Sequence, residues 1–193
     1  MGNAAGLARK ACALSSLILW AGITQALAAC PSPETLKATT FDRGFHQEKY
    51  LAGMDRPLLS EGRLTARDNE VVWHMLKPFD VKTMITASGI TQSVDGGDAM
   101  EVGSGTGEIA ASVARSMAAM MRGEWDALQA MFTVKLPDGH AEGDWQVGLT
   151  PLDDRLKSVL GVITVHGCSD VSSVDIVRSD GDREHIQFDA VAP

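Results

Sequence analysis

The residues most able to carry chemistry are the glycines of 100–107, MEVGSGTG, with Glu108 and Ile109 directly behind them. A glycine-rich turn opening a helix lets backbone N–H groups approach a ligand closely, and the helix N-terminus favours negative charge there. The histidines come next. His46, His74, His140, His166 and His185 are scattered along the chain. No two stand four apart and no His-Glu-x-x-His occurs, so the sequence offers no zinc motif of that kind. No Gly-x-Ser-x-Gly elbow marks a serine hydrolase. Asp153 with Asp154, and Asp180 with Asp182, fall in polar turns, where carboxylates serve solvation more often than acid–base work. The sequence therefore points to no catalytic residue, no metal site and no cofactor.

The glycine motif resembles the first motif of class I S-adenosylmethionine methyltransferases. That chemistry needs alternating βα units after the loop, with an acidic residue closing the second strand about 20 residues on. Here helices follow as far as Phe132, and hairpins come after them. The elements needed to position a cofactor are missing, so residues 103–107 are expected to act as a glycine hinge.

That hinge leads into the chain's main helical stretch, residues 107–132. Ile109, Val113, Met117, Met120 and Met121 recur at the spacing of one helical face, followed by Leu128, Met131 and Phe132. Gly123 and Glu124 interrupt the pattern, so two short helices are expected. Almost everything else alternates as β-strand. Upstream, strands are expected at 41–51, 59–66, 70–76, 81–87, 90–94 and 99–102. Downstream they are expected at 132–136, 144–149, 159–165, 171–177 and 184–188. Turn chemistry separates them at 52–57, 67–69, 95–97, 138–139 and 180–182. Gly62 inside the second strand predicts a bulge, and 151–157 a polar loop or a single helical turn. About ten strands joined by short turns imply sequential antiparallel neighbours. Strands this numerous around one helical insert predict a highly curved, incompletely closed barrel. Methionine suits both an irregular core and a surface accepting varied apolar partners, so the insert is read either as a helix packed on the sheet or as a helical lid over an apolar cavity.

The N-terminus sets the compartment. Arg9 and Lys10 precede a largely apolar run at 12–22, and the small-residue segment 26–29 follows. This is the layout of a secretory signal peptide ending near residue 29, and it is too short for a membrane span. Its removal takes away two basic residues and no acidic ones. The remaining 15 Lys and Arg then stand against 25 Asp and Glu, a charge of −10. An acidic chain without a basic cluster excludes nucleic-acid binding. Cys30 and Cys168 are the two cysteines left in an oxidising compartment, and a disulfide between them is expected. The competing possibility is a lipobox at 27–30, in which Cys30 would be acylated and hold the protein at the outer membrane.

Several segments in order resemble the periplasmic lipoprotein carrier family, LolA, and its LolA-like relatives. These are Phe41, Phe45 and Gln47 of FDRGFHQ, then Ser60, Gly62 and Leu64 of SEGRL. Trp73 with Lys77-Pro78 follows, and after it Ile85 to Gly89. The helices up to Gly123-Glu124, Leu128 and Phe132, residues 145–151, and the Asp180-Gly181-Asp182 strand pair complete the likeness. The resemblance implies one domain over 30–193, an open β-barrel under a helical lid that binds lipoproteins or other lipid-linked cargo. It implies a cavity lined by Phe45, Leu64, Trp73, Met75, Ile85, Met117, Met121, Leu128, Phe132 and Trp145. It also implies a monomer that exchanges cargo between an inner-membrane donor and an outer-membrane acceptor, with no enzymatic step. The family's lid is latched by an arginine that precedes a proline. Arg67 is the nearest counterpart here, but Asp68 follows it. An envelope-assembly or lipid-anchored subunit that holds a protein partner is the alternative function, and the methyltransferase is the third.

Overall fold

The computed structural model describes Gly2 and residues 30–67, 70–102, 107–137 and 143–190, with the side chains of 107–111, 155 and 159 left out. The expected signal peptide (Gly2 apart), most of the glycine hinge and the 138–139 turn lie outside the described residues. So do Asp68, Asn69 and His140.

The strands are β1 (Thr40–Tyr50), β2 (Leu58–Arg67), β3 (Glu70–Lys77), β4 (Val81–Thr86), β5 (Gly89–Val94) and β6 (Met100–Val102). Then come helices α1 (Gly107–Arg122) and α2 (Trp125–Leu128). Strands β7 (Phe132–Lys135) and β8 (Trp145–Pro151), helix α3 (Asp154–Leu160), and strands β9 (Val162–Gly167), β10 (Val171–Val177) and β11 (Arg183–Phe188) close the chain. They form one antiparallel sheet in the order β6-β5-β4-β3-β2-β1-β11-β10-β9-β8-β7. The first and last long strands pair at its centre, with Phe45 opposite Phe188 and Gln47 opposite Ile186. The edges β6 and β7 do not meet, so the curved sheet is an incompletely closed barrel. The helical insert connects those two edges, and α1 lies across the inner face of β1 to β5. Every strand pairing is antiparallel. The glycine-rich motif is therefore not set in parallel βα units, and the methyltransferase reading falls on that ground.

Period-two alternation builds the core. In β8, Trp145, Val147, Leu149 and Pro151 are buried and their neighbours are not; Ile163 and Val165 of β9 and Ile186 and Phe188 of β11 face the same interior. The glycine expected to bulge does so. The β2–β3 register slips between Glu61 and Gly62, and a Cβ on Gly62 would stand 2.1 Å from the His74 carbonyl oxygen. Gly62→Ala is expected to destabilise the protein by about 1–3 kcal/mol; a denaturant midpoint equal to the wild type would show that the strands part without cost.

The two helices are separated as their glycine demands. Gly123 has φ +72°. The Gly123 amide donates to the Met120 carbonyl and the Glu124 amide to the Ala119 carbonyl, the paired bonds of a Schellman cap. A Cβ on Gly123 would also strike Leu36 at 2.5 Å. The first helix is longer than expected, at 16 residues, and the second is a single turn. Residues 154–160, expected as a polar loop or a single helical turn running into a strand from 159, form the seven-residue helix α3. Asp153 caps it by accepting from the Leu156 amide, and Leu156, Val159 and Leu160 have helical spacing. The following strand starts only at Val162, after Gly161 at φ +70°.

Candidate functional site

One end of the barrel is closed by bonds between distant segments. Cys30 and Cys168 form a disulfide, which excludes acylation of the same sulfur at Cys30. The Trp145 indole donates to the Cys168 carbonyl at 2.7 Å, and the Trp125 indole to the Pro33 carbonyl at 2.8 Å. The two rings meet edge to face with centroids 5.9 Å apart. Arg43 adds an ion pair at 2.8 Å to Asp170 in the β9–β10 turn. The segment around Cys30 and Pro33, α2 and the β9–β10 turn are thus joined into one plug. The only group of metal-type side chains among the described residues, Cys30, Asp144 and Cys168, lies here. Its sulfurs are committed to each other, so it is not a thiolate site.

Between that plug and the opposite end lies a cavity of about 250 Å³. Its lid wall is Val113, Ser116, Met117, Met120 and Met121 of α1 with Leu128 of α2. Its sheet wall draws on Leu64 and Trp73 from the first half. Phe132, Leu149, Ile163, Val174, Ile176, Ile186 and Phe188 come from the second half, and Leu160 of α3 closes one side. Of the ten cavity residues expected from the sequence, Leu64, Trp73, Met117, Met121, Leu128 and Phe132 are on this wall. The other four are not. Phe45 is buried against Trp73, with ring centroids 4.5 Å apart. Ile85 belongs to the core, Met75 is half-buried on β3, and Trp145 sits in the plug. All four lie on the inner face of the sheet, but alternation fixes the face and leaves the depth along the barrel open.

Sequence reasoning also missed the polar part of the wall. Gln47, Arg178 and Glu184 line the cavity, and Glu184 is only 9% exposed. The Gln47 amide donates to one carboxylate oxygen of Glu184, and Arg178 donates to the other at 3.2 Å. The Ser60 hydroxyl donates to the Gln47 carbonyl oxygen at 2.7 Å. A signal was available: Gln47 shares the phase of Phe41 and Phe45, and Glu184 that of Ile186 and Phe188, so each is a polar residue at an inward position. The strand register puts this corner at the end opposite the plug. Exposed Leu58, Leu59, Leu76 and Phe79 lie at the same end.

Arg67 is not a latch in this structure. Its guanidinium pairs with Asp42 of the adjacent strand at 3.8 Å and its side chain is 60% exposed. The β1–β2 register, which sets Asp42 opposite Thr65, keeps these two side chains together on the outer face. Asp42 also accepts from Arg63 at 2.6 Å and from Thr65. The hydrogen bond from Arg63 is the main reason its carboxyl is held below the ordinary 3.8. Stability from this carboxylate is fully present above that ordinary value and is lost as pH falls through the lowered one. Wild type and Asp42→Asn should therefore differ in melting temperature at neutral pH and converge in strong acid, a gap that stays open in acid arguing against the ion pairs. Arg67→Leu should change stability by no more than about 0.5 kcal/mol and leave apolar probe binding intact.

The other described histidines pair with carboxylates on the outside of the sheet. His74 meets Asp80 at 2.8 Å, while His166 and His185 hold the two oxygens of Asp175 at 2.7 Å each. His46 is exposed near Glu61 and Asp189. No helix among the described residues is long and apolar enough to cross a membrane.

No protein-family model matches the sequence, and no curated protein matches it. Among solved structures, a LolA superfamily protein of Nitrosomonas europaea is similar over 82% of this chain and 88% of its own, at 8% identity and a TM-score of 0.42. A domain of Vibrio parahaemolyticus named for outer membrane lipoprotein sorting is similar over 77% of this chain and 83% of its own, at 10% identity and a TM-score of 0.36.

Proposed function

We propose that this chain is an exported periplasmic carrier whose cavity shelters the acyl chain of a lipoprotein or another lipid-linked molecule on its way to the outer membrane. The observation that carries this reading is the apolar cavity between the methionine-lined helices and the curved sheet. Each methylene taken from water into such a space is worth about 0.8 kcal/mol, so an acyl chain is its natural guest. An apolar cavity of about 150 Å³ already accepts a benzene-sized molecule, and 250 Å³ suits one chain segment rather than several. Release requires only that α1 separate from β1 to β5, where its packing is apolar and adaptable. The exposed apolar residues beside the polar corner offer a donor or acceptor protein a place to meet the mouth. The signal-like N-terminus and the Cys30–Cys168 disulfide support an oxidising, extracytoplasmic setting. On this reading the mature protein is one domain from residue 30 onward, acts as a monomer and performs no chemistry on its cargo.

Native mass spectrometry of the protein purified from a bacterial periplasm, followed by organic extraction, tests the proposal. A bound acylated molecule is the expected result. A protein that arrives empty and also fails to take up the neutral apolar dye Nile red would overturn it, and would favour an assembly subunit that uses the apolar rim to hold a protein partner.

A further inference from the structure

Apart from Ser116 of α1, whose hydroxyl donates to the Met131 sulfur, the cavity wall is apolar except at one corner, and the chemistry of that corner is specific. Gln47, Arg178 and Glu184 are its polar members. Among the described residues, Arg178 and Glu184 are the charged members of the wall, and they are paired with each other. Gln47 is fixed at both ends of its amide, accepting from Ser60 and donating to Glu184. A primary amide carries two N–H groups, and Glu184 takes one. The second stays with a side chain that faces the cavity. Lys49, the next inward-phase residue of β1, stands opposite Glu184 in the β1–β11 register and is not part of the cavity wall.

We propose, on the strength of the carrier reading above, that Gln47, Arg178 and Glu184 form a head-group filter that selects an acyl chain ending in a neutral carbonyl linkage, an ester or an amide. Such a carbonyl accepts the second N–H of Gln47 and leaves the Arg178–Glu184 pair intact. A free carboxylate at the same place lies against Glu184. Arg178 is the cation that the wall offers it, and drawing Arg178 away leaves Glu184 buried without that partner, a costly state. An alkylammonium meets the mirror-image problem at Arg178. The filter thus distinguishes acyl groups already joined to a carrier molecule from the free fatty acids and amines of the same length.

Displacement of Nile red by chain-matched lauroyl monoglyceride, laurate and dodecylammonium, each below its micelle-forming concentration, tests this on the wild-type protein. The monoglyceride is expected to displace the dye at a concentration about tenfold lower than either charged amphiphile, a difference of about 1.4 kcal/mol. Glu184→Gln removes the carboxylate and leaves Arg178 in place; in this variant laurate is expected to gain about tenfold. Equal displacement by all three, or laurate binding tightest to the wild type, overturns the filter while leaving the carrier reading standing. Failure of the wild type to bind Nile red overturns the carrier reading itself. Should the variant not fold, the wild-type order decides alone.

Discussion

Replacing Cys168 with serine is expected to destabilise the domain by about 2–5 kcal/mol, enough to threaten folding at physiological temperature. The bond joins residues 138 apart, almost the full length of the described domain, so it restricts the unfolded chain strongly. It also ties down residues 30–36, where Pro33 is buried and receives the Trp125 indole. Denaturant unfolding of the wild type with and without reductant, beside the variant, measures the effect. A loss below about 1 kcal/mol would mean that the tryptophan plug holds the closed end by itself. Intact mass gives an independent check, since the disulfide lowers it by two hydrogens and acylation of Cys30 would raise it by whole acyl chains. At temperatures where the variant stays folded, Nile red binding should be unchanged, because the bond lies at the end opposite the polar corner.

Val113→Trp is expected to reduce Nile red affinity at least tenfold, a loss of about 1.4 kcal/mol or more. Val113 is on the lid wall and only half-buried, so the indole can enter the cavity of about 250 Å³ without displacing a buried core residue. It would occupy much of the space that a guest requires. Circular dichroism and thermal melting verify the fold, with a stability cost within the range of ordinary overpacking, about 1–3 kcal/mol. A folded variant that binds the dye as the wild type does would place the binding site elsewhere and remove the main support for the carrier reading. Paired with Arg67→Leu, which should not affect binding, the two variants separate the cavity from the outer face of the barrel.

The elements of the molecule were not equally legible in sequence. Gly62 and Gly123 could be interpreted in advance because each satisfies a local requirement, a bulge in one case and a helix cap in the other. The lid stripe of Val113, Met117, Met120 and Met121 was legible for the same reason, since a helical face is fixed by spacing alone. Residues 154–160 were left open between a loop and a single helical turn because Asp153, Asp154 and Lys157 suggest a loop, while the apolar spacing that makes a helix is short; the reach of α3 to Leu160 was missed. Arg67 was assigned a role by resemblance, and its strand register gave it a different one.

The chain's own pattern determined that it would form antiparallel strands around a helical insert and which residues would face inward. These follow from alternation, helical spacing and composition, all of which act over a few residues or over the whole chain at once. Only the tertiary structure decided that β1 pairs with β11, so that Gln47 and Glu184, 137 positions apart, share a hydrogen bond. It alone decided which inward residues reach the cavity and which, like Phe45 and Trp145, fill the core or the plug. The physical reason is that period two specifies a face, whereas depth along the barrel depends on register and curvature summed over eleven strands.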